Sequence, residues 1–347
     1  MKKFKIASLF SGGGGTDIGF AGGFNFLGKH YEKNNIQIVY ANDIENSANA
    51  MFEENFGIKP DNRNIREVRS EEIPKFDILT GGFPCQSFSV SAQNPKRLGI
   101  KDEKGTLFFE MVRILKDHQP KAFFAENVKG ILSANNKEAF PLIIKEFEEA
   151  GYKVTYNLCV ATKYGVPQKR ERVFIIGIRE DLGFEFNFRK EPINNESDYV
   201  PLKMILEKEI PEKYYFSDRA VQGMINSKSG KKMNKGRAQD INRPSNTVSS
   251  HLAKVSLNST DPVLLEEGRY RRYTPREVAR IQSFPDSYKL LGSEGAQYRM
   301  LGNAIPPVMM WHVAKDLIYD LEHYKKKSNA QTQFKLVSEQ LDIFEAS

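Results

Sequence analysis

The stretch Asp77-Ile78-Leu79-Thr80-Gly81-Gly82-Phe83-Pro84-Cys85-Gln86-Ser87 decides how the rest of the chain is read. Its apolar head predicts a buried strand, the glycine pair ends that strand, and the Pro-Cys turn sets a single thiol beyond the strand's carboxyl end. Open α/β sheets carry their chemistry at that edge. Proline fixes φ, and so fixes the direction from which Cys85 is presented, as a nucleophile requires. The turn alone does not make one, because a buried, inert cysteine satisfies the same residues.

Upstream, Lys5 to Phe10 predicts a first buried strand, followed by Ser11-Gly12-Gly13-Gly14-Gly15-Thr16-Asp17, a glycine turn entering a helix. Such a turn lets backbone N–H groups approach a ligand closely, although a tight turn with no ligand fits the same glycines. A second strand, Gln37 to Ala41, ends in Asn42-Asp43-Ile44, and a helix from Ser47 to Asn55 follows. A carboxylate at that strand end can accept from both ribose hydroxyls of a nucleoside, with Ile44 covering the adenine face. A helix cap is the alternative role for Asp43. Asn64-Ile65 comes next, where a side chain can reach an adenine edge.

Downstream, Ser87 to Lys104 is polar and holds Ser89, Ser91, Lys96 and Arg97, a composition that predicts a loop able to close over a substrate. A helix over Thr106 to Asp117 leads to the strand Lys121 to Ala125, tipped by Glu126-Asn127-Val128. A carboxylate at one parallel strand tip and a thiol at another face the same crevice. After the helix Ala139 to Ala150 and the strand Lys153 to Val160, Gln168-Lys169-Arg170-Glu171-Arg172 heads the strand Val173 to Ile178. Charges there fit solvated strand ends, and beside a thiol and a carboxylate they also fit groups that orient a planar polar substrate.

From about Arg189 to Gly268 the strand-helix rhythm stops. Lys228, Lys231, Lys232, Lys235 and Arg237 alternate there with glycines, and Arg243-Pro244-Ser245-Asn246-Thr247-Val248 follows. Gly-spaced positive charge suits phosphate contact, as it suits any solvated surface. Thr274-Pro275-Arg276-Glu277 reads as a capping box that restarts helix, and Leu301-Gly302-Asn303-Ala304-Ile305-Pro306-Pro307 opens a final helix over Val308 to Glu322.

The 347 residues allow one large domain and a smaller one, and 51 Lys and Arg against 44 Asp and Glu give a net charge of +7, which permits nucleic-acid binding. The two cysteines, Cys85 and Cys159, lie in no zinc-type spacing and read as free thiols, so no metal is expected. The apolar run Ile6 to Phe10 is too short for a signal core, and no segment approaches the ~20 apolar residues of a membrane span, so a cytoplasmic protein without a membrane partner is expected.

In order along the chain, Phe10-Ser11-Gly12-Gly13-Gly14-Gly15, Gly82-Phe83-Pro84-Cys85-Gln86, Glu126-Asn127-Val128, Gln168-Lys169-Arg170-Glu171-Arg172, Arg272 to Glu277 with Phe284-Pro285, and Gly302-Asn303-Ala304 resemble the S-adenosylmethionine-dependent cytosine-C5 DNA methyltransferases, particularly those of bacterial restriction-modification systems. The resemblance implies an α/β, Rossmann-like, mostly parallel sheet. It implies a catalytic domain of residues 1–187 and 302–324, a smaller, irregular target-recognition domain with its hinge over 188–301, and a flexible tail over 325–347. Phe10, Ser11, Gly12, Gly13, Gly14, Asp43, Ile44, Asn64, Ile65, Gly82, Asn303 and Ala304 would hold S-adenosylmethionine, released as S-adenosylhomocysteine. The family usually has aspartate at Asn64 and glycine at Ser283; an amide at Asn64 still donates and accepts.

By the same resemblance, Cys85 would add to cytosine C6 from the Pro84 to Gln86 turn, Glu126 would serve N3, and Arg170 and Arg172 would orient the base and these two side chains. The base would be flipped from duplex DNA, which Ser89, Ser91, Lys96, Arg97, Gln168, Lys231, Lys232, Lys235, Arg237, Arg243 and Thr247 would contact. The implied partners are double-stranded DNA and, genetically, a cognate restriction endonuclease. In the tail, Gln340-Leu341-Asp342-Ile343-Phe344 looks like the peptide that docks on the β sliding clamp, with Leu341, Ile343 and Phe344 as its apolar anchors. Alternatives are a tRNA cytosine-C5 methyltransferase, a catalytically inactive DNA-binding relative, and a nicotinamide-dependent oxidoreductase. The last leaves Pro84-Cys85 unexplained.

Overall fold

A computed structural model describes residues 2–84, 107–226, 237–252 and 261–324. The strands that organise the molecule are β1 (Phe4–Leu9), β4 (Ile36–Asn42), β5 (Ile78–Gly81), β6 (Ala122–Val128), β7 (Tyr152–Val160) and β9 (Glu171–Arg179), in the order β4-β1-β5-β6-β9-β7. The first four run parallel, while β9 is antiparallel to both its neighbours. Between β1 and β4 lies a short hairpin, β2 (Phe24–Phe26) with β3 (Lys29–Tyr31), which the sequence reading did not separate from its surroundings.

The strands are apolar on both faces because both are covered. Ile6, Ile78, Phe124, Phe174 and Ile176 point into one core, and Leu9, Leu79, Phe123, Val173 and Ile175 point into the other. This is the period of two expected of extended chain. One core is closed by α1 (Gly15–Ala21), α2 (Asn46–Phe56) and a C-terminal helix, α8, over residues 307–324. The other lies under α3 (Leu107–His118) and α4 (Ala139–Glu149).

Between β9 and residue 274 the described chain consists of 3₁₀ turns and short elements. These include α5 (Asp218–Asn226), the two-residue strand β10 (Ser245–Asn246), which pairs in parallel with β8 (Gln168–Lys169) just ahead of β9, and a hairpin of β11 (Leu264–Glu266) with β12 (Arg269–Arg271). Helix α6 (Pro275–Ile281) starts as expected. Thr274 caps it, Pro275 fills the first turn and Glu277 returns to the Thr274 backbone, completing the box. Buried Arg271 donates to both oxygens of buried Glu277 and ties the hairpin to this helix start. Helix α7 (Glu294–Asn303) was not expected from the sequence. Ser283 has φ 61, in the left-handed region that favours glycine. Its hydroxyl accepts from Val308 N at the head of α8, so the serine carries a cap in place of conformational ease.

Candidate active site

The carboxyl ends of β4, β1, β5 and β6 open on a cavity of about 560 Å³, at the edge where parallel sheets bind ligands. The loop after β1 shapes one wall. Gly12 and Gly14 have φ 53 and 81, and Gly14 is the N-cap of α1. At Gly13 a Cβ would stand 2.4 Å from Met300 Sδ and 2.7 Å from Tyr288 Oη, so a side chain there has no room. Two hydrogen bonds fix the loop: Gly12 N–H donates to Asp43 Oδ2 at 2.8 Å, and Tyr288 Oη donates to the Gly13 carbonyl at 2.7 Å.

Asp43 therefore does more than cap. Its other oxygen accepts from Glu45 N at 2.9 Å, and burial raises its pKa. A carboxylate has about four lone-pair sites, so acceptor capacity remains on the cavity side. Ile44 beside it is 67% exposed and lines the cavity, an apolar face without a protein partner over it. Asn64 caps a 3₁₀ turn by accepting from Arg66 N at 3.2 Å, and Ile65 behind it is buried. Phe10, Ser11, Gly82, Asn303 and Ala304 also line the cavity. Gly14 supports the loop from behind, packed toward Phe52 and Phe56.

The opposite wall is the tip of β6. Glu126 sits in the sheet, and a Cβ on Gly82 would stand 3.2 Å from Glu126 Oε2, so the glycine makes room for that carboxylate. Asn127 Nδ2 donates to the Phe83 carbonyl at 3.1 Å and fixes the turn ahead of Pro84, which lines the cavity. Because β9 runs antiparallel to β6, its first residues arrive at the tip: Arg172 lies opposite Val128, and its Nε is 2.7 Å from Glu126 Oε1. This contact is an ion pair by distance, but the Nε–H is not aimed well enough to count as a hydrogen bond. Burial raises the Glu126 pKa, and the charges of Arg172 and Arg170 oppose that shift without cancelling it. A carboxyl whose pKa burial raises is better suited to donate a proton at the cavity wall than a fully exposed one.

Three expectations are corrected. Arg170 is not on the cavity wall: it is buried, with Nη1 donating to the Val248 carbonyl at 3.3 Å and Nη2 to the Gly302 carbonyl at 3.0 Å. Val248, Gln282 and Gly302 cover residues 168 and 170, whereas Arg172, opposite Val128, is the one ion-paired with Glu126. Gln168 is fully buried and pairs with Gln282, so it does not present itself to DNA. Arg237 is buried as well, with Nε donating to the Asp261 carbonyl at 3.0 Å. Arg243 is exposed, and exposed Thr247 donates to the Lys169 carbonyl at 2.8 Å. Cys85, Gln86, Ser89, Ser91, Lys96, Arg97, Lys231, Lys232, Lys235 and the tail peptide Gln340 to Phe344 lie outside the described residues.

The sequence reading missed part of the cavity lining. Ala296, Arg299 and Met300, with Asn303, present one face of α7 to it, at the i, i+3, i+4, i+7 spacing that marks a helix. Arg299 pairs with Glu45 across the mouth at 3.3 Å. Asp17, behind the glycine loop, was also passed over; it is buried beneath Ser8, whose hydroxyl donates to it, and burial pushes its carboxyl up to about 7. Among the described residues no group of His, Cys, Asp and Glu gathers as a metal site would require, and no helix is long and apolar enough to cross a membrane.

Fold and site together define an α/β enzyme with a ligand cavity at its parallel strand ends and, on the cavity wall, a largely buried carboxylate beside an arginine. The profile of the C-5 cytosine-specific DNA methylases matches residues 4–319, and the chain belongs to that family. It is 38% identical to the Type II methyltransferase M.FnuDI of Fusobacterium nucleatum, across 95% of this chain and 99% of that protein. Against M1.ScrFI of Lactococcus lactis subsp. cremoris, also a Type II methyltransferase, identity is 33% across 93% of this chain and 80% of that one. Among solved structures, the Entamoeba histolytica methyltransferase EhMeth superposes with a TM-score of 0.73 at 18% identity, covering 92% of this chain and 99% of that one. Spodoptera frugiperda DNMT2 superposes at 0.71 and 24% identity, over 91% and 99%. These two share the fold.

Proposed function

We propose that this chain is the modification enzyme of a Type II restriction-modification system, methylating C5 of a cytosine in a short duplex DNA site, with a cognate endonuclease as its genetic partner. The observation that carries the reading is one cavity whose wall includes Glu126, Arg172, Gly82 and Pro84 together with Asp43 and Ile44. S-adenosylmethionine fits those residues: Asp43 has acceptor capacity for ribose hydroxyls, exposed Ile44 offers an apolar face to adenine, and the volume suits a ligand of that size. Bound there, it supplies an electrophilic methyl group.

Cytosine C5 is a poor nucleophile until C6 carries a substituent. The Cys85 thiolate adds to C6, and the displaced ring electrons are met at N3 by a proton from Glu126. The enamine so formed attacks through C5, making the new carbon-methyl bond as the sulfur-methyl bond breaks. The C5 proton then leaves, the Cys85–C6 bond breaks and returns the thiolate, and N3 gives its proton back to Glu126. Arg172 holds the Glu126 carboxyl and meets the base carbonyl beside it.

The reacting atoms are out of reach in a stacked duplex, so the cytosine is flipped into the cavity. Residues 188–301 are assigned to recognition, and among the described residues exposed Arg243 and Thr247 are the ones assigned to contact DNA. Bisulfite sequencing of DNA from cells expressing this chain tests the reading, with tRNA from the same cells as the second arm. One short motif protected throughout the DNA is expected. Protection confined to tRNA, or to neither, overturns it.

A further inference from the structure

Arg170 and Gln168 were expected at the substrate and lie in the interior, which raises the question of what two buried polar side chains do there. Gln168 Nε2 donates to Gln282 Oε1 at 2.8 Å, and Gln168 Oε1 accepts from Val248 N at 2.8 Å. Gln282 Nε2 in turn donates to the carbonyls of Leu301 and Ala304. Arg170 bridges the same two segments through the Val248 and Gly302 carbonyls. All three side chains are buried.

An independent feature joins the same places. A Cβ on Gly302 would stand 2.3 Å from the backbone of Ser249 and Ser250, so residues 249–250 lie flat against the end of α7. That end continues into Asn303 and Ala304 on the cavity wall, while β8 runs within three residues of Arg172 and its partner Glu126. The segment 245–250, whose first two residues pair with β8, thus lies between the cofactor wall at Gly302 and the strand that leads to Arg172.

The chemistry of this joint is costly. Arg170 is a buried cation whose hydrogen-bond acceptors are neutral carbonyls, and burial together with the Arg172 charge pushes its pKa well down. Buried polar groups of this kind add little stability over a well-packed apolar replacement, and they fix one arrangement against its neighbours.

We propose that Arg170, Gln168 and Gln282 are positioning residues that couple the recognition segment 245–250 to the cofactor wall 301–304, so that cofactor occupancy and duplex binding strengthen each other. The proposal rests on the methyltransferase reading. A duplex seated on residues 243–247 shifts the Val248 backbone, and the two amides and the guanidinium carry that shift to the Gly302 and Ala304 carbonyls. Coupling between sites is reciprocal, so S-adenosylhomocysteine tightens duplex binding by the factor by which duplex tightens S-adenosylhomocysteine.

The test measures duplex Kd with and without S-adenosylhomocysteine, on the full chain, for the parent, Gln282→Met and Arg170→Lys. Leu317→Ala, a core truncation in α8 away from the joint, controls for lost stability. The parent is expected to show coupling of about tenfold or more. Either joint variant that folds should fall to within about twofold of no coupling, while its affinity for each ligand alone stays within about threefold of the parent. Leu317→Ala should keep the parental factor. A parent without coupling, joint variants that retain it, or an equal loss in Leu317→Ala each overturns the proposal. A parent that binds neither ligand instead fails the methyltransferase reading itself.

Discussion

The cavity frame and the region over 188–301 are held together in different ways. Around the cavity, positions are fixed by bonds that involve backbone, part-buried from Gly12 N to Asp43 and buried from Tyr288 to the Gly13 carbonyl and from Asn127 to the Phe83 carbonyl. In the second region several of the described charges are paired at the surface. Arg269 meets Glu212, Lys213 meets Glu294, and Arg243 lies 3.8 Å from Asp240. Arg271 with Glu277, in the first turn of α6, is by contrast fully buried. Chemistry needs donors and acceptors fixed before the substrate arrives, whereas surface ion pairs contribute little and exchange readily for phosphates.

Substitutions in the two regions should therefore differ in kind as well as size. Cys85→Ala should abolish methyl transfer to duplex DNA while leaving S-adenosylmethionine binding within about threefold by titration calorimetry, since a nucleophile contributes to the reaction and not to donor affinity. Glu126→Gln should lower kcat about 10²- to 10³-fold in single-turnover assays. The raised pKa of Glu126 fixes the sign of the pH effect: the acid is available below that pKa and is lost as pH rises through it. The parent should therefore lose rate on the alkaline side along a limb that the glutamine variant lacks. Asp43→Ala removes the anchor of Gly12 and, on the proposed function, the acceptor for ribose, and should weaken donor binding about 10- to 100-fold with kcat less affected. Arg243→Ala should be the mildest, weakening duplex binding about equally for all sequences and lowering the salt slope by about one. If Arg243→Ala instead altered which site is modified, the division into a rigid chemical frame and an exchangeable charged surface would fail at that residue.

Much of the frame was legible because each strand tip carries its own signal. The apolar runs Ile78 to Gly81 and Ala122 to Ala125 end in residues whose chemistry is visible without neighbours, and parallel strands deliver them to one edge. The head of β9 was harder. Gln168, Arg170 and Arg172 look alike in sequence, and what separates them is the reversal of β9 against β6 and the packing of residues 245–250 and 301–304 over the first two. Those contacts link positions 78 to 132 residues apart, which no local pattern reports. Helix α7 was missed for a different reason: Gly295 and Gly302 weaken its helical signature, although Gly302 is required by the backbone against which it packs.

The central claim is that the Cys85 turn and the Glu126–Arg172 pair form one covalent site. Incubating the chain with S-adenosylmethionine and a duplex carrying 5-fluorocytosine at the modified position tests it directly, because fluorine cannot leave as the C5 proton does and the Cys85–C6 bond cannot be released. Peptide mass spectrometry should find the methylated fluorocytosine on Cys85, with none on Cys159 and none in Cys85→Ala. Full methyl transfer to unmodified duplex by Cys85→Ala, or a trapped adduct on any other residue, would contradict the account.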